Sequence, residues 1–287
     1  MSTWKVAAVQ MDPRLADAEA NRSTIRRLLG EAADNGAKLV VFPECAITGY
    51  GLLDRNAALN VAETLPGPST AAIAEICAAR GIWCVFGLLE KADDRVFNSC
   101  ALVGPMGYVA SYRKVHLPCV GTDRFTDPGD RPFDVHDLGG LRIAIGICFD
   151  GSFPETARIQ TLLGADLILL PTNWADKAIK MATLVPRVRA FENHVYYMAV
   201  NRVGDEAGFH YIGRSSISDH LGDYLAFADH DHEAILYATI DPDAARKKKV
   251  VHCLGEYEID RVNWRRPEMY GPLLTPPDPP FHGHFKR

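Results

Sequence analysis

The sequence predicts an α/β protein made of two packed sheets with helices outside them. Three observations lead there. Strand-like and helix-like stretches alternate with short connections. The strands are unbroken apolar runs, as in Leu39-Val40-Val41-Phe42, which marks a sheet covered on both faces. Several strands also pair as hairpins, giving more of them than a simple doubly wound sheet accommodates.

The elements follow in order. Residues 4–10 read as a strand, and Asn21 to Asn35 as a helix with Ile25, Leu28, Leu29 and Ala32 on one face and Gly36 as its stop. Lys38 to Pro43 is a buried strand ended by proline, and Ser69 caps a helix that runs to Arg80 with Gly81 beyond it. Ile82 to Leu88 is a strand. Phe97 to Val103 and Tyr108 to Tyr112 form a hairpin around Gly104-Pro105-Met106-Gly107. Leu141 to Ile147 is a buried strand, 154–163 a helix, and Asp166 to Leu170 a strand closed by Pro171. A helix covers Met181 to His194, with Pro186 in its first turn or kinking it. Strands near 195–200, 212–218 and 234–240 complete the set. The acidic and histidine-rich Asp229-His230-Asp231-His232-Glu233 between two of them reads as an exposed hairpin turn rather than a metal site. The main domain is expected to span 1–264. A proline-rich tail, 265–287, lacks periodicity and is expected to lie on the body or on a partner subunit.

Composition removes several function classes. A net charge of -5 gives no electrostatic case for nucleic acid, and Arg246-Lys247-Lys248-Lys249 reads as a solvated helix end. No apolar run approaches the roughly 18 residues of a membrane span. The chain enters a strand almost at once, with no signal-like segment before it. Seven cysteines, an odd number without a CxxC pair, argue against a disulfide framework or a zinc site. A cytoplasmic protein without metal or organic cofactor is expected.

Three segments carry chemistry. Glu44 follows a buried strand, at the edge where α/β sheets build their sites, and partial burial there would make it a useful base. Lys114 stands in the cationic Tyr112-Arg113-Lys114-Val115-His116 after a hairpin strand. Cys148 ends a buried strand in Gly146-Ile147-Cys148-Phe149-Asp150-Gly151 and meets a turn into a helix, as a nucleophile elbow does. Taken singly, these are a loop glutamate, a surface charge and a core thiol. Together they supply a base, a cation and a nucleophile, each just past a strand.

These segments resemble the nitrilase superfamily, the carbon–nitrogen hydrolases, whose catalytic set is Glu–Lys–Cys. Further motifs are similar in order: Pro171-Thr172-Asn173-Trp174, Arg189-Ala190-Phe191-Glu192-Asn193, Val200-Asn201-Arg202-Val203-Gly204, Gly213-Arg214-Ser215-Ser216-Ile217 and Arg266-Pro267-Glu268-Met269-Tyr270. The resemblance covers nearly the whole chain. It implies a four-layer αββα sandwich that assembles into a homodimer or higher homo-oligomer. It also implies Glu44 as base, Lys114 as oxyanion cation and Cys148 as nucleophile. Many relatives carry a second glutamate between the lysine and the cysteine. The matching position here is Asp123, one methylene shorter and a candidate fourth carboxylate. The backbone N–H of Phe149 is the expected second oxyanion donor, and Tyr50, Asn173 and Trp174 are candidates to face substrate.

The expected activity is hydrolysis of a non-peptide carbon–nitrogen bond in a small amide or N-carbamoyl compound through a cysteine thioester. Relatives that act on nitriles usually carry tryptophan and glutamate after the cysteine, whereas this chain has Phe149-Asp150, which points toward the amidase and carbamoylase branches. Nitrile hydrolysis and acyl transfer by the same site are alternatives. A papain-like protease with a histidine such as His116, or a binding protein without chemistry, is a rival from another class. Arg189, Glu192 and Asn193 are expected to be structural polar groups.

Overall fold

The structure, a computed structural model, describes residues 3–275. They divide into two compact units, one ending at Lys247 and one beginning at Lys248. The first half of the larger unit runs β1 (Trp4–Gln10), α1 (Ala18–Asp34), β2 (Leu39–Val41), α2 (Arg55–Val61), α3 (Pro68–Arg80), β3 (Trp83–Ala92), β4 (Arg95–Gly104) and β5 (Gly107–Arg113). The second half runs β6 (Val135–Asp137), β7 (Arg142–Ile145), α4 (Pro154–Leu162), β8 (Leu167–Thr172), α5 (Ile179–Asn193) and β9 (Tyr196–Asn201). It continues through β10 (Val203–Glu206), β11 (Phe209–Ile212), β12 (Ser216–Ser218), β13 (Tyr224–Phe227), β14 (Ala234–Ile240) and α6 (Pro242–Arg246).

Two six-stranded sheets result, in the orders β14-β1-β2-β3-β4-β5 and β13-β12-β9-β8-β7-β6. Strand alternation explains how they stack. On β1, Val6 and Ala8 join Leu39 and Val41 in a core shared with Ile143, Leu167 and Met198 of the second sheet. Ala7 and Val9 point the other way, onto Ile25 and Leu29 of α1 and Ile73 and Cys77 of α3. Each fully buried aliphatic side chain of this kind contributes about 1.5–3 kcal/mol. Ala157 of α4 and Ala182 and Ala190 of α5 belong with Ile168 and Leu170 on the far side of the second sheet. The layers are therefore helices, sheet, sheet, helices, and the four-layer αββα sandwich is the fold.

Several boundaries differ from expectation. Asp17, accepting from the Ala20 N–H, caps α1, which begins at Ala18, three residues ahead of the expected start. Gly67, not Ser69, caps α3, because the Thr70 hydroxyl accepts its N–H. Pro171 lies within β8, where its carbonyl side keeps a ladder position, and Pro186 lies in the interior of α5. The stretch 229–233 is not a hairpin turn. β13 pairs with β12 and β14 with β1, so this segment carries the chain from one sheet to the other. The short α2, β6 and the β10–β11 ribbon had no clear periodicity to announce them.

The second unit holds an antiparallel pair, Val250–Cys253 with Tyr257–Ile259, and 3-10 turns at Pro267–Met269 and Gly271–Leu274. Lys249 and Glu258 form an ion pair at 2.5 Å within it. Residues 276–287 of the expected tail lie outside the described residues. Among the described residues, no helix is long and apolar enough to cross a membrane.

Candidate active site

Both sheets aim the ends of parallel strands at one place. β2 pairs in parallel with β1 and β3, and its end runs into Phe42-Pro43-Glu44. Gly87 of β3 lets this segment come close: a Cβ there would strike the backbone of Pro43, Glu44 and Cys45. Across the sandwich, β7 runs parallel to β8 and leads to Cys148, the first residue of a 3-10 turn. Lys114 follows β5, and Asp123 sits in a 3-10 turn at Gly121–Arg124.

These side chains meet in a sealed group. The Lys114 ammonium, 0% exposed, donates to Glu44 Oε1 at 2.6 Å and to Asp123 Oδ2 at 2.6 Å. Asn98 of β4 donates from Nδ2 to Glu44 Oε1 at 2.7 Å and to Asp123 Oδ1 at 2.8 Å. The Tyr50 hydroxyl lies 2.8 Å from Asp123 Oδ2, and Gly121, in a left-handed conformation, makes room for its ring. Glu44 Oε2 is buried and has no hydrogen-bond partner among the described residues. An ammonium has three N–H donors, and two of Lys114's are used on carboxylates.

The electrostatics follow from burial and charge. Burial raises the Glu44 pKa and Asp123 adds to this, against the opposing pull of Lys114. Burial works against the Lys114 charge, yet Asp123 and Glu44 outweigh it and hold the ammonium well above its ordinary value. Burial, and then the Glu44 charge, push the Cys148 thiol well up; Lys114 and the Asn173 backbone N–H pull the other way. At rest the thiol keeps its proton beside a carboxylate that is itself made more basic.

Cys148 has φ 45°, in the left-handed region, and its turn is held from several sides. Asp150, fully buried, accepts from the Ile147 N–H at 2.9 Å, the Tyr112 hydroxyl at 2.8 Å and the His116 N–H at 3.0 Å. The His116 ring lies 2.7 Å from the same carboxylate and stacks on Phe153, so it serves the turn as Asp150's partner. Arg189 donates to the carbonyls of Gly151 and Ser152 and pairs with Glu192, while Asn193 donates to the Arg189 carbonyl. Phe149, whose N–H was the expected oxyanion donor, comes straight after Cys148 in this turn.

Cys148 opens onto a cavity of about 620 Å³ lined by Tyr50, Phe149, Asn173 and Trp174, with Met181, Phe209, His210 and Tyr211 among the other walls. Asn201 fixes the Asn173–Trp174 segment by accepting the Trp174 N–H and donating to its carbonyl, at 2.7 and 3.0 Å. Glu206, paired with buried Arg202, accepts the N–H groups of Tyr50 and Gly51 and so holds the Tyr50 loop. His210 spans Asp205 and Asp231, which push its pKa up. Among the described residues, no three His, Cys, Asp or Glu side chains are grouped to hold a metal ion.

The residues expected at the site fall in two groups: Glu44, Lys114 and Asp123 in the sealed group, and Cys148, Phe149, Tyr50, Asn173 and Trp174 on the cavity, with the Tyr50 hydroxyl reaching Asp123. Sequence reasoning missed Asn98, Arg202, Glu206, Phe209, His210 and Tyr211. Asn98 and Ser99 are both polar within Val96 to Val103, so local pattern did not single out Asn98.

Comparison with known proteins places the chain in a family. The family model for carbon–nitrogen hydrolases matches residues 5–249. The chain is 38% identical to a nitrilase of Pyrococcus abyssi over 247 residues, which cover 86% of this chain and 93% of that one. It is 31% identical to an omega-amidase of Danio rerio over 258 residues, 84% of this chain and 89% of that one. A solved structure from Xanthomonas campestris, a protein of the same superfamily with an arsenic adduct in its active site, superposes with a TM-score of 0.78 at 29% identity, covering 86% of this chain and 94% of that one.

Proposed function

This chain belongs to the carbon–nitrogen hydrolase family, and we propose that within it the protein hydrolyses small amides or N-carbamoyl compounds through a thioester on Cys148. The observation that carries this reading is Glu44 Oε2. It is buried and unpartnered in a carboxylate whose other oxygen is tied to Lys114 and Asn98, so one oxygen is held and one is free to take a proton.

In this mechanism Glu44 Oε2 takes the thiol proton as Cys148 Sγ bonds to the substrate carbonyl carbon. Negative charge develops on the carbonyl oxygen, where the third Lys114 N–H and the Phe149 N–H stabilise it. One such donor is typically worth about 2.7–4 kcal/mol in the transition state. When the carbon–nitrogen bond breaks, protonated Glu44 gives its proton to the leaving nitrogen, and ammonia or an amine departs. Water then loses a proton to Glu44 and attacks the thioester, which releases the acid and restores the thiol. Proton return to nitrogen suits an amide, whose leaving group is too basic to depart as an anion. Phe149-Asp150 after the nucleophile supports the same branch. Nitrile hydrolysis is the second reading, favoured by the likeness to the Pyrococcus abyssi protein called a nitrilase.

A panel of aliphatic amides, N-carbamoyl amines, N-carbamoyl amino acids, ureides and nitriles, read by ammonia release beside Cys148→Ala, tests this. Turnover of nitriles alone would replace the amide reading. Hydroxylamine added during turnover separates hydrolysis from acyl transfer. We further propose a homo-oligomer in the cytoplasm. Leu184, Val188 and Phe191 stand exposed along one face of α5, and Leu162 and Leu163 are exposed at the end of α4, apolar surface suited to a second copy. The seven cysteines are all free, as a reducing compartment would keep them.

A further inference from the structure

We propose that Asn98 is a positioning residue of this site: a neutral double donor that holds the Glu44 and Asp123 carboxylates on either side of Lys114 and leaves the group with one net negative charge. The inference rests on the reading of Glu44 as the base.

Asn98 lies in β4, 1% exposed, between buried Phe97 and Ser99. An amide in such a place is costly unless its bonds are met, and here both its nitrogen and its oxygen have partners. Both Nδ2 hydrogens go to carboxylates, at 2.7 and 2.8 Å. Its Oδ1 faces the Cys45 thiol at 3.6 Å, and its backbone carbonyl accepts the Lys114 N–H at 2.8 Å. Carboxylates only accept, so the amino end must face them and the amide is locked against a flip. One residue therefore registers the base, the second carboxylate and the backbone of the cation.

The charge of the group gives the neutral amide its meaning. Two carboxylates face one ammonium, and the other two donors, Asn98 and Tyr50, carry no charge. A second cation in place of Asn98 would neutralise the group and make Glu44 a poorer base. An apolar residue would leave Glu44 and Asp123 less tightly held. The groups that bear on Glu44 are Lys114 and Asp123, with the weak acids Cys45, Cys100, Cys148, Tyr50 and Tyr211 around them. The Asn98 bond favours the charged form of Glu44, so its loss raises that pKa. Asn98 is not on the cavity wall, which places its effect on kcat rather than on KM.

The test compares Asn98→Ala and Asn98→Asp with wild type across pH. It uses kcat and KM for the best substrate of the panel, and the rate at which iodoacetamide alkylates Cys148, located by mass mapping. We expect kcat to fall by about 10–100-fold, by analogy with the outer hydrogen-bond partners of metal ligands. KM should stay within about twofold, and the acid limb of both profiles should move to higher pH, further for Asn98→Asp. An unmoved acid limb, or a loss confined to KM, overturns the inference. If Asn98→Ala does not fold, Cys45→Ala, which removes the thiol that anchors the amide oxygen, should shift the limb in the same direction by less; no shift there overturns it equally. Turnover retained by Cys148→Ala would instead sink the underlying reading.

Discussion

The floor of the site and the wall of its cavity are built on opposite plans. The floor comes mainly from the first sheet and its loops, and it is charged and sealed. Lys114, Glu44, Asp123 and Asn98 bond to one another at 2.6–2.8 Å with almost no surface in solvent. The wall comes largely from segments after β8 and around β11, and is mostly apolar: Trp174, Met181 and Phe209 alternate with a few polar groups, and Phe209 is 38% exposed. A buried network of charges fails as a unit when one member is removed, because the others are left with unmet charge. A partly exposed apolar wall yields locally. On the proposed mechanism, reaction type and substrate choice lie in different parts of the molecule, with Cys148 between them.

Substitutions can break or sharpen that contrast. The largest effect should come from Cys148→Ala, which leaves floor and wall in place; ammonia release should fall at least about 10⁴-fold, with the circular dichroism spectrum unchanged. Lys114→Met should abolish turnover and also leave two buried carboxylates without their cation. Urea unfolding should show a loss of about 3–5 kcal/mol, a cost that trimming the partly exposed Phe209 of the wall should not match. The pH profile of kcat/KM gives a subtler reading. Glu44 must be ionised to act, and burial raises it, so activity should fall as pH drops through a value above the 4.5 of an ordinary glutamate. An acid limb at or below that value would show that the floor does not tune its base. The smallest effect belongs to the wall: Phe209→Ala should raise KM for the bulkier apolar members of the panel by about 10-fold and leave kcat within about twofold.

The same division decided what could be read beforehand. Glu44, Lys114 and Cys148 were legible because each stands just past a strand, where local pattern and chemistry coincide. Asp123 lies in a turn without periodicity and came into view only through the family motif around it. Asn98 contacts Cys45, Glu44 and Asp123, all at least 25 residues away, and no local pattern reports such a meeting. Arg202 and Glu206 hold the Tyr50 loop from more than 150 residues away for the same reason. The error at 229–233 has a related cause. Alternating apolar strands look alike whether the chain turns back to its neighbour or crosses to another sheet, and pairing is a long-range choice.

The left-handed backbone at Cys148 carries one more consequence. A side chain with a Cβ is uncomfortable there, by about 1–3 kcal/mol, and glycine would relieve the turn. A sequence chosen for robustness alone would therefore erase the sulfur. Its presence at the least accommodating point of the turn means that the fold tolerates a local weakness in order to present a reactive atom, and the hydrogen bonds of Asp150 and Arg189 around it are what make that weakness bearable.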